Sequence, residues 1–273
     1  MAEGNENNPL GFRKSLKELI REDTSLEQKM VDEGSPIRDN VWQLYEGDVL
    51  TYDHTFSEIL KELNLKSLKE WMELRKKSGQ TTHILDVMGG NGTFLRNLSK
   101  YGIRGHDVSP YFDKSLAITL VDERSGDERL RKEDERRGVF FVAGDITSGS
   151  TWKKVSEWMK ANNVPSFDLV ICRGVEGIDN IPIPLYKTIL DRFYQRTSSQ
   201  NGLILSQVSA WANSQLKQWD AELNKIPGIK TITQKERKTL GYSSMGAGYP
   251  AIGIVKSNEA PKILPRFISP EKI

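Results

Sequence analysis

The run Ile84-Leu-Asp-Val-Met-Gly-Gly-Asn-Gly-Thr-Phe-Leu95 constrains this chain most: a hydrophobic strand enters a glycine-rich turn, and the turn opens a helix. Gly89, Gly90 and Gly92 remove side chains where backbone must come close to a ligand, and the exposed amides at a helix N-terminus attract an anion such as a carboxylate or phosphate. A nucleotide-like ligand is implied. From His83 onward, short β-type runs alternate with helical ones, as in HILDVM, GIRGHDV, VFFVAGD, FDLVICRG and LILSQV. Alternation of that kind specifies a parallel sheet with crossover helices on both faces. Pro182 and Pro184 suit the first turn of a helix carrying Leu185, Ile189, Leu190 and Phe193, and Asn201-Gly202 turns the chain into LILSQV. After a further helix around Trp211 to Leu223, KTITQKERKTL and AIGIVKS read as two final strands, a hairpin joined through GYSSMGAGYP. The expected fold class is α/β: a doubly wound, seven-stranded, mainly parallel sheet with a helical N-terminal cap.

Upstream of the sheet, Phe12, Leu16, Leu19, Ile20, Leu26 and Met30 recur at helical spacing. A second helix is expected to start at Thr55-Phe-Ser-Glu58, which fits a capping box, with an apolar face made of Phe56, Ile59, Leu60, Leu63, Leu68, Trp71 and Met72. Between the two lies VWQLYEGDVLTYDHTF, where Trp42, Tyr45, Tyr52, His54 and Phe56 crowd together as a cap over the domain. These aromatics either enclose a flat or apolar acceptor or serve as core packing. Asp122 to Arg137 holds thirteen charges in sixteen residues with a net charge of −1, which reads as a solvated helix or insertion. The expected organisation is a cap at residues 1–80, a ligand-binding domain at 81–256 and a tail at 257–273.

Composition narrows the function classes. Thirty-nine basic against 37 acidic residues leave +2, and 37% hydrophobic with 28% charged residues describe an ordinary soluble globule. Cys172 is the one cysteine, so no intramolecular disulfide and no cysteine-built zinc site is expected, and a reducing cytoplasmic location is the default. No stretch reads as a signal peptide or approaches the roughly 18 apolar residues of a membrane span. The residues before Thr81 carry 16 acidic and 12 basic side chains, so the appendage is no basic arm for RNA.

A dinucleotide fingerprint would follow Gly90-x-Gly92 with a third small residue, but bulky Leu95 stands there, which disfavours NAD. The pattern Asp86-x-x-Gly89-Gly90-x-Gly92 after a hydrophobic strand instead resembles motif I of the class I S-adenosylmethionine-dependent methyltransferases, a Rossmann-like family. The resemblance runs over about residues 81 to 256. It implies S-adenosyl-L-methionine as cofactor and S-adenosyl-L-homocysteine as product. It further implies a ribose-binding acid at Asp107, in Arg104-Gly-His-Asp-Val at the end of a second strand, and an adenine-binding acid at Asp145 after the third, with Ile146 beside it. Phe167-Asp-Leu-Val-Ile-Cys-Arg-Gly then forms the fourth strand, whose end, at Cys172 and Arg173, borders the transferring methyl group.

Methyl transfer from a sulfonium needs chiefly an aimed acceptor, and a protonated acceptor also needs a base. Candidate bases are Glu176 and Asp179 after strand four, and His54 or Tyr52 in the cap. Cys172 lacks the Pro-Cys or Thr-Cys context of the pyrimidine-methylating type and reads as a buried strand thiol. No Asn-Pro-Pro-Tyr type of motif follows strand four, which favours a small-molecule acceptor. RNA or protein methylation, and a catalytically silent partner-binding subunit, are the alternatives. No metal and no membrane partner are expected.

Overall fold

The structure is a computed structural model and describes residues 49–99, 111–119, 128–174, 183–208, 213–234 and 250–264. Its centre is His83–Val87, a five-residue run buried from Ile84 onward. Side chains alternate along a strand, so Leu85 and Val87 enter the core on one face while Ile84 and Asp86 point to the other. Apolar residues on both faces suit a central strand of a parallel sheet, and Asp86 is the exception that needs explaining.

Seven strands form one sheet: β1 (His83–Val87), β2 (Lys114–Thr119), β3 (Val139–Ala143), β4 (Leu169–Cys172), β5 (Gly202–Gln207), β6 (Ile229–Gln234) and β7 (Ala251–Lys256). Their order is β3-β2-β1-β4-β5-β7-β6. β1 pairs in parallel with both β2 and β4, with Val87 opposite Ile118 on one side and Cys172 on the other. The order therefore reverses at β1, and ligands of open α/β sheets bind outside the carboxyl ends of the strands at such a point. Only β7 runs against its neighbours, antiparallel to both β5 and β6. The last two strands pair as a hairpin would, yet β7 lies inside the sheet and β6 at its edge.

Eight helices are described: α1 (Val49–Thr55), α2 (Ser57–Glu62), α3 (Leu68–Lys77), α4 (Thr93–Ser99), α5 (Glu128–Arg136), α6 (Gly149–Ala161), α7 (Ile183–Arg196) and α8 (Asn213–Leu223). Tyr52, Phe56, Ile59, Leu60, Leu68 and Met72 share one core with Phe94, Leu95 and Leu98 of α4 and with Ile84, Leu169 and Leu205 of the sheet. The opposite face is packed by Trp152 and Val155 of α6, Tyr186 and Phe193 of α7, and Trp219 of α8. The chain from Val49 to Lys77 is thus built into the same core as the sheet. A β-carbon on Gly253 would lie 2.5 Å from Ile59 Cγ2, a measure of how closely α2 rides on β7.

Two sequence expectations are corrected here. The second strand is Lys114–Thr119, not Gly102–Val108, so Asp107 precedes β2 and does not stand at its carboxyl end; residues 100–110 lie outside those described. Both segments carry β-type side chains, and the partner that decides is His83, whose register mate is Lys114. The capping box at Thr55 is not formed: Thr55 closes α1, its hydroxyl donates to Thr51 O at 2.8 Å, and α2 has no side-chain cap. The cap falls later, where Ser67 Oγ accepts Glu70 N at 3.1 Å and Glu70 Oε2 accepts Lys66 N at 2.5 Å.

The charged stretch contributes α5, where Lys132–Glu128, Arg131–Glu135 and Arg137–Glu133 pair one turn apart and Asp134 turns inward to Arg96 at 3.2 Å. Beyond β7 the tail packs on α7 as far as Leu264, through Tyr194 Oη to Pro261 O at 2.8 Å and Leu264 N to Asp191 Oδ1 at 3.1 Å. The expected helix at Phe12–Glu33 and the aromatics Trp42 and Tyr45 lie outside the described residues.

Candidate functional site

The three glycines after β1 answer to three different constraints. A β-carbon on Gly89 would lie 2.5 Å from Asp86 Oδ2, and one on Gly92 would lie 2.6 Å from the Phe141 ring. Gly90 has φ +55°, a left-handed conformation, and a β-carbon there would meet nothing within 4 Å. Gly90 therefore faces the open side of the turn. Met88, immediately before, also has φ 61°, an uncommon conformation for a residue with a side chain. The turn is closed by Gly92 N donating to Gly89 O at 2.9 Å and is tied to β2 by Gly89 N donating to Ile118 O at 3.2 Å. Asn91 Oδ1 accepts Thr93 N at 3.0 Å and so takes one of the amides at the start of α4.

Beneath this turn lies a buried polar cluster. Asp86 has no exposed surface, and its Oδ1 accepts the Tyr52 hydroxyl at 3.0 Å. Its Oδ2 has no partner among the described residues and occupies the space that a side chain at position 89 would need. Burial lifts the Asp86 carboxyl to about 7, against the opposing pull of the Tyr52 hydrogen bond and the Arg173 charge. Arg173, 4% exposed, follows β4, donates from Nε to Thr55 Oγ1 at 3.2 Å and lies over the Tyr52 ring at 5.7 Å. The Tyr52 ring stacks on Phe94 of α4 with centroids 4.1 Å apart. Gln234 of β6 completes the arrangement by donating from Nε2 to Thr55 O at 2.8 Å. A charge buried this deeply persists only with such compensation.

The sequence-derived candidates sort accordingly. Asp86 lies near Arg173 and Cys172 at the carboxyl ends of β1 and β4, and Gly89, Gly90 and Gly92 form the turn that follows β1. Tyr52 joins them as a donor: burial first, then the Asp86 charge, holds its hydroxyl well above the usual range, the opposite of what a general base needs. Burial likewise pushes the Cys172 thiol up to about 12, which disfavours the thiolate at this buried position. His54 lies on the exposed side of α1. Asp145 follows β3 and forms a local turn, its Oδ1 accepting Thr147 N and Thr147 Oγ1, both at 2.8 Å. Ile146 is buried beside it, and its carbonyl accepts Trp152 Nε1 at 2.7 Å. Glu176 and Asp179, like Asp107, lie outside the described residues.

Sequence reasoning missed Thr55, Phe94 and Gln234. Their signal was available only in part. Val49, Tyr52, Phe56, Ile59 and Leu60 form a helical stripe that passes straight through the supposed start at Thr55.

Among the described residues no group of acids, histidines or cysteines suited to a metal ion occurs, and no helix is long and apolar enough to cross a membrane. The seven-stranded sheet with its glycine turn at the switch point is a Rossmann-like α/β fold. No protein-family model matches the chain, and no curated protein matches it. Among solved structures, it is similar to an amino pentose methyltransferase of calicheamicin biosynthesis from Micromonospora echinaspora: 11% identity, 68% of this chain, 87% of that one, TM-score 0.38. It is also similar to a methyltransferase of the mycinamycin pathway solved with Mg and S-adenosylhomocysteine: 10% identity, 83% and 58% coverage, TM-score 0.41. A third is a putative RNA methyltransferase from Pyrococcus horikoshii: 12% identity, 69% and 83% coverage, TM-score 0.37.

Proposed function

We propose that the chain is a class I S-adenosylmethionine-dependent methyltransferase acting on a small-molecule acceptor, with residues 1–80 as a cap, 81–256 as the cofactor-binding domain and 257–273 as a tail. The observation that carries this reading is the buried Asp86 carboxyl with one unpartnered oxygen beneath a turn whose Gly90 faces open space. An amino-acid end group fits that pair, because an ammonium compensates the buried acid while the glycine backbone leaves room for the rest. When bound, S-adenosylmethionine supplies a methyl group made electrophilic by its sulfonium.

The chain's own residues then position. Asp86 takes the amino-acid end, and Asp145, with Oδ1 committed to Thr147, offers Oδ2 to an adenine amino group, with Ile146 beneath it. A vicinal diol calls for an acid beyond the carboxyl end of β2. Asp107 precedes that strand, so in this reading Asp122 and Glu123, the acids that follow Thr119 in sequence, replace it. Arg173 balances the charge of Asp86 from β4. Glu176 and Asp179 follow β4 in sequence and remain the proposed proton acceptors.

Calorimetric titration with S-adenosylhomocysteine and with NAD tests the proposal. Micromolar binding of the sulfur ligand and none of NAD is expected, and the reverse result overturns it. An acceptor screen by product release with S-adenosylmethionine then separates an enzyme from a silent subunit.

A further inference from the structure

We infer that Tyr52 is a positioning residue for the donor: by holding Asp86 Oδ1, it fixes the carboxyl with Oδ2 beneath Gly89, so that docking of α1 and binding of an ammonium group at the glycine turn are coupled. This rests on the reading above. The geometry is economical. Of the two carboxyl oxygens, Tyr52 occupies one at 3.0 Å and leaves the other without a partner among the described residues. The phenol is itself held from three sides, by its stack on Phe94, by the Arg173 guanidinium over its ring and by the helix that carries it. That helix is fastened through Thr55, whose hydroxyl accepts Arg173 Nε and whose carbonyl accepts Gln234 Nε2. A loosened α1 would release the phenol and free the carboxyl to rotate.

The coupling has an electrostatic side. Among the described residues, the titratable or charged groups set against Asp86 are Tyr52 of α1 and Arg173 and Cys172 from β4. The Tyr52 hydrogen bond favours the carboxylate, and an ammonium ligand needs the carboxylate. Removing the phenolic hydroxyl should therefore make Asp86 harder to ionise and the ligand harder to bind near neutral pH.

The test is calorimetric binding of S-adenosylhomocysteine from pH 5.5 to 8.5 in buffers of different ionisation enthalpy, which also counts protons released. Tyr52→Phe keeps the ring and loses only the hydroxyl. At pH 7 it should weaken binding about tenfold, move the affinity midpoint to higher pH and raise the number of protons released. 3-Fluorotyrosine at position 52 retains the hydroxyl as a stronger donor and should move the midpoint to lower pH; it serves if the phenylalanine variant fails to fold. A merely structural Tyr52 would change the melting temperature and leave midpoint and proton count where they were, which overturns the inference. If the parent chain binds no S-adenosylhomocysteine at any pH, the methyltransferase reading itself fails.

Discussion

At the scale of single residues, the turn separates two kinds of glycine. Gly92→Ala forces a side chain into a left-handed backbone and against Phe141, whereas Gly90→Ala meets only the backbone cost of about 1–2 kcal/mol. Urea unfolding should therefore show Gly92→Ala as the more destabilised of the two. Ligand titration should show Gly90→Ala as a folded protein whose affinity for S-adenosylhomocysteine has collapsed, because its new methyl group enters the open side of the turn. Asp86 gives a second prediction. A carboxyl raised to about 7 holds its proton more tightly folded than unfolded, so its contribution to stability is present below pH about 4 and is lost as pH climbs to about 7. Every tenfold gain in proton affinity on folding corresponds to about 1.4 kcal/mol. Comparing Asp86→Asn with the parent by urea denaturation between pH 5 and 8 should show the parent losing stability with rising pH and the variant losing clearly less. Equal slopes would mean that Asp86 is not buried as an acid. The sequence made Asp86 visible as the acid of the turn but hid its partner, since Tyr52 lies 34 residues upstream and no local spacing announces a contact that distant.

At the scale of elements, the strands were the legible part. β1 and β3 to β5 are short hydrophobic runs with turn residues at their ends, and Asn201, at φ 58°, sits where the Asn-Gly turn was expected. β2 was not legible, because two neighbouring β-type segments compete for one place beside β1 and only the sheet register chooses between them. Helix starts were misread for a related reason. Thr55 has the right residue type for a cap, but its hydroxyl is spent on Thr51 O and Arg173, and Ser67 does the capping. α3 is fixed at the far end of the sheet by a buried ion pair, Arg75 Nη2 to Asp168 Oδ1 at 2.6 Å, with Asp168 Oδ2 also accepting His83 N. Breaking such a pair from one side leaves an uncompensated charge. Arg75→Met should cost roughly 3 kcal/mol in chemical denaturation while sparing ligand affinity, because the pair sits at the amino ends of β1 and β4. A loss below about 1 kcal/mol would show that water already screens the pair.

At the scale of the whole molecule, the described part of the N-terminal segment shares a core with the sheet. Phe56, Ile59 and Leu60 are at most 1% exposed and pack with β-strand residues on one sheet face. Deleting the chain before Leu50 should leave a cooperatively melting protein that still binds S-adenosylhomocysteine, since Tyr52, Thr55 and that core remain. Deleting through Glu62 exposes side chains whose burial is worth about 1.5–3 kcal/mol each, and this second truncation should be insoluble or molten by thermal melting and dye binding. A well-folded second truncation would make the cap a separable lid after all.

The placement of β7 sets an order in time. β6 is synthesised before β7, yet β7 must come to lie between it and β5, so while the chain is being made β6 has no ladder to join. Gln234, at the end of β6, donates to Thr55 O, and this contact joins residues 179 positions apart. Contacts of such sequence separation form slowly, and an unfilled sheet margin invites pairing with another chain meanwhile. The same final hairpin therefore covers the β5 margin and, through Gln234 and Thr55, fastens α1 over Asp86.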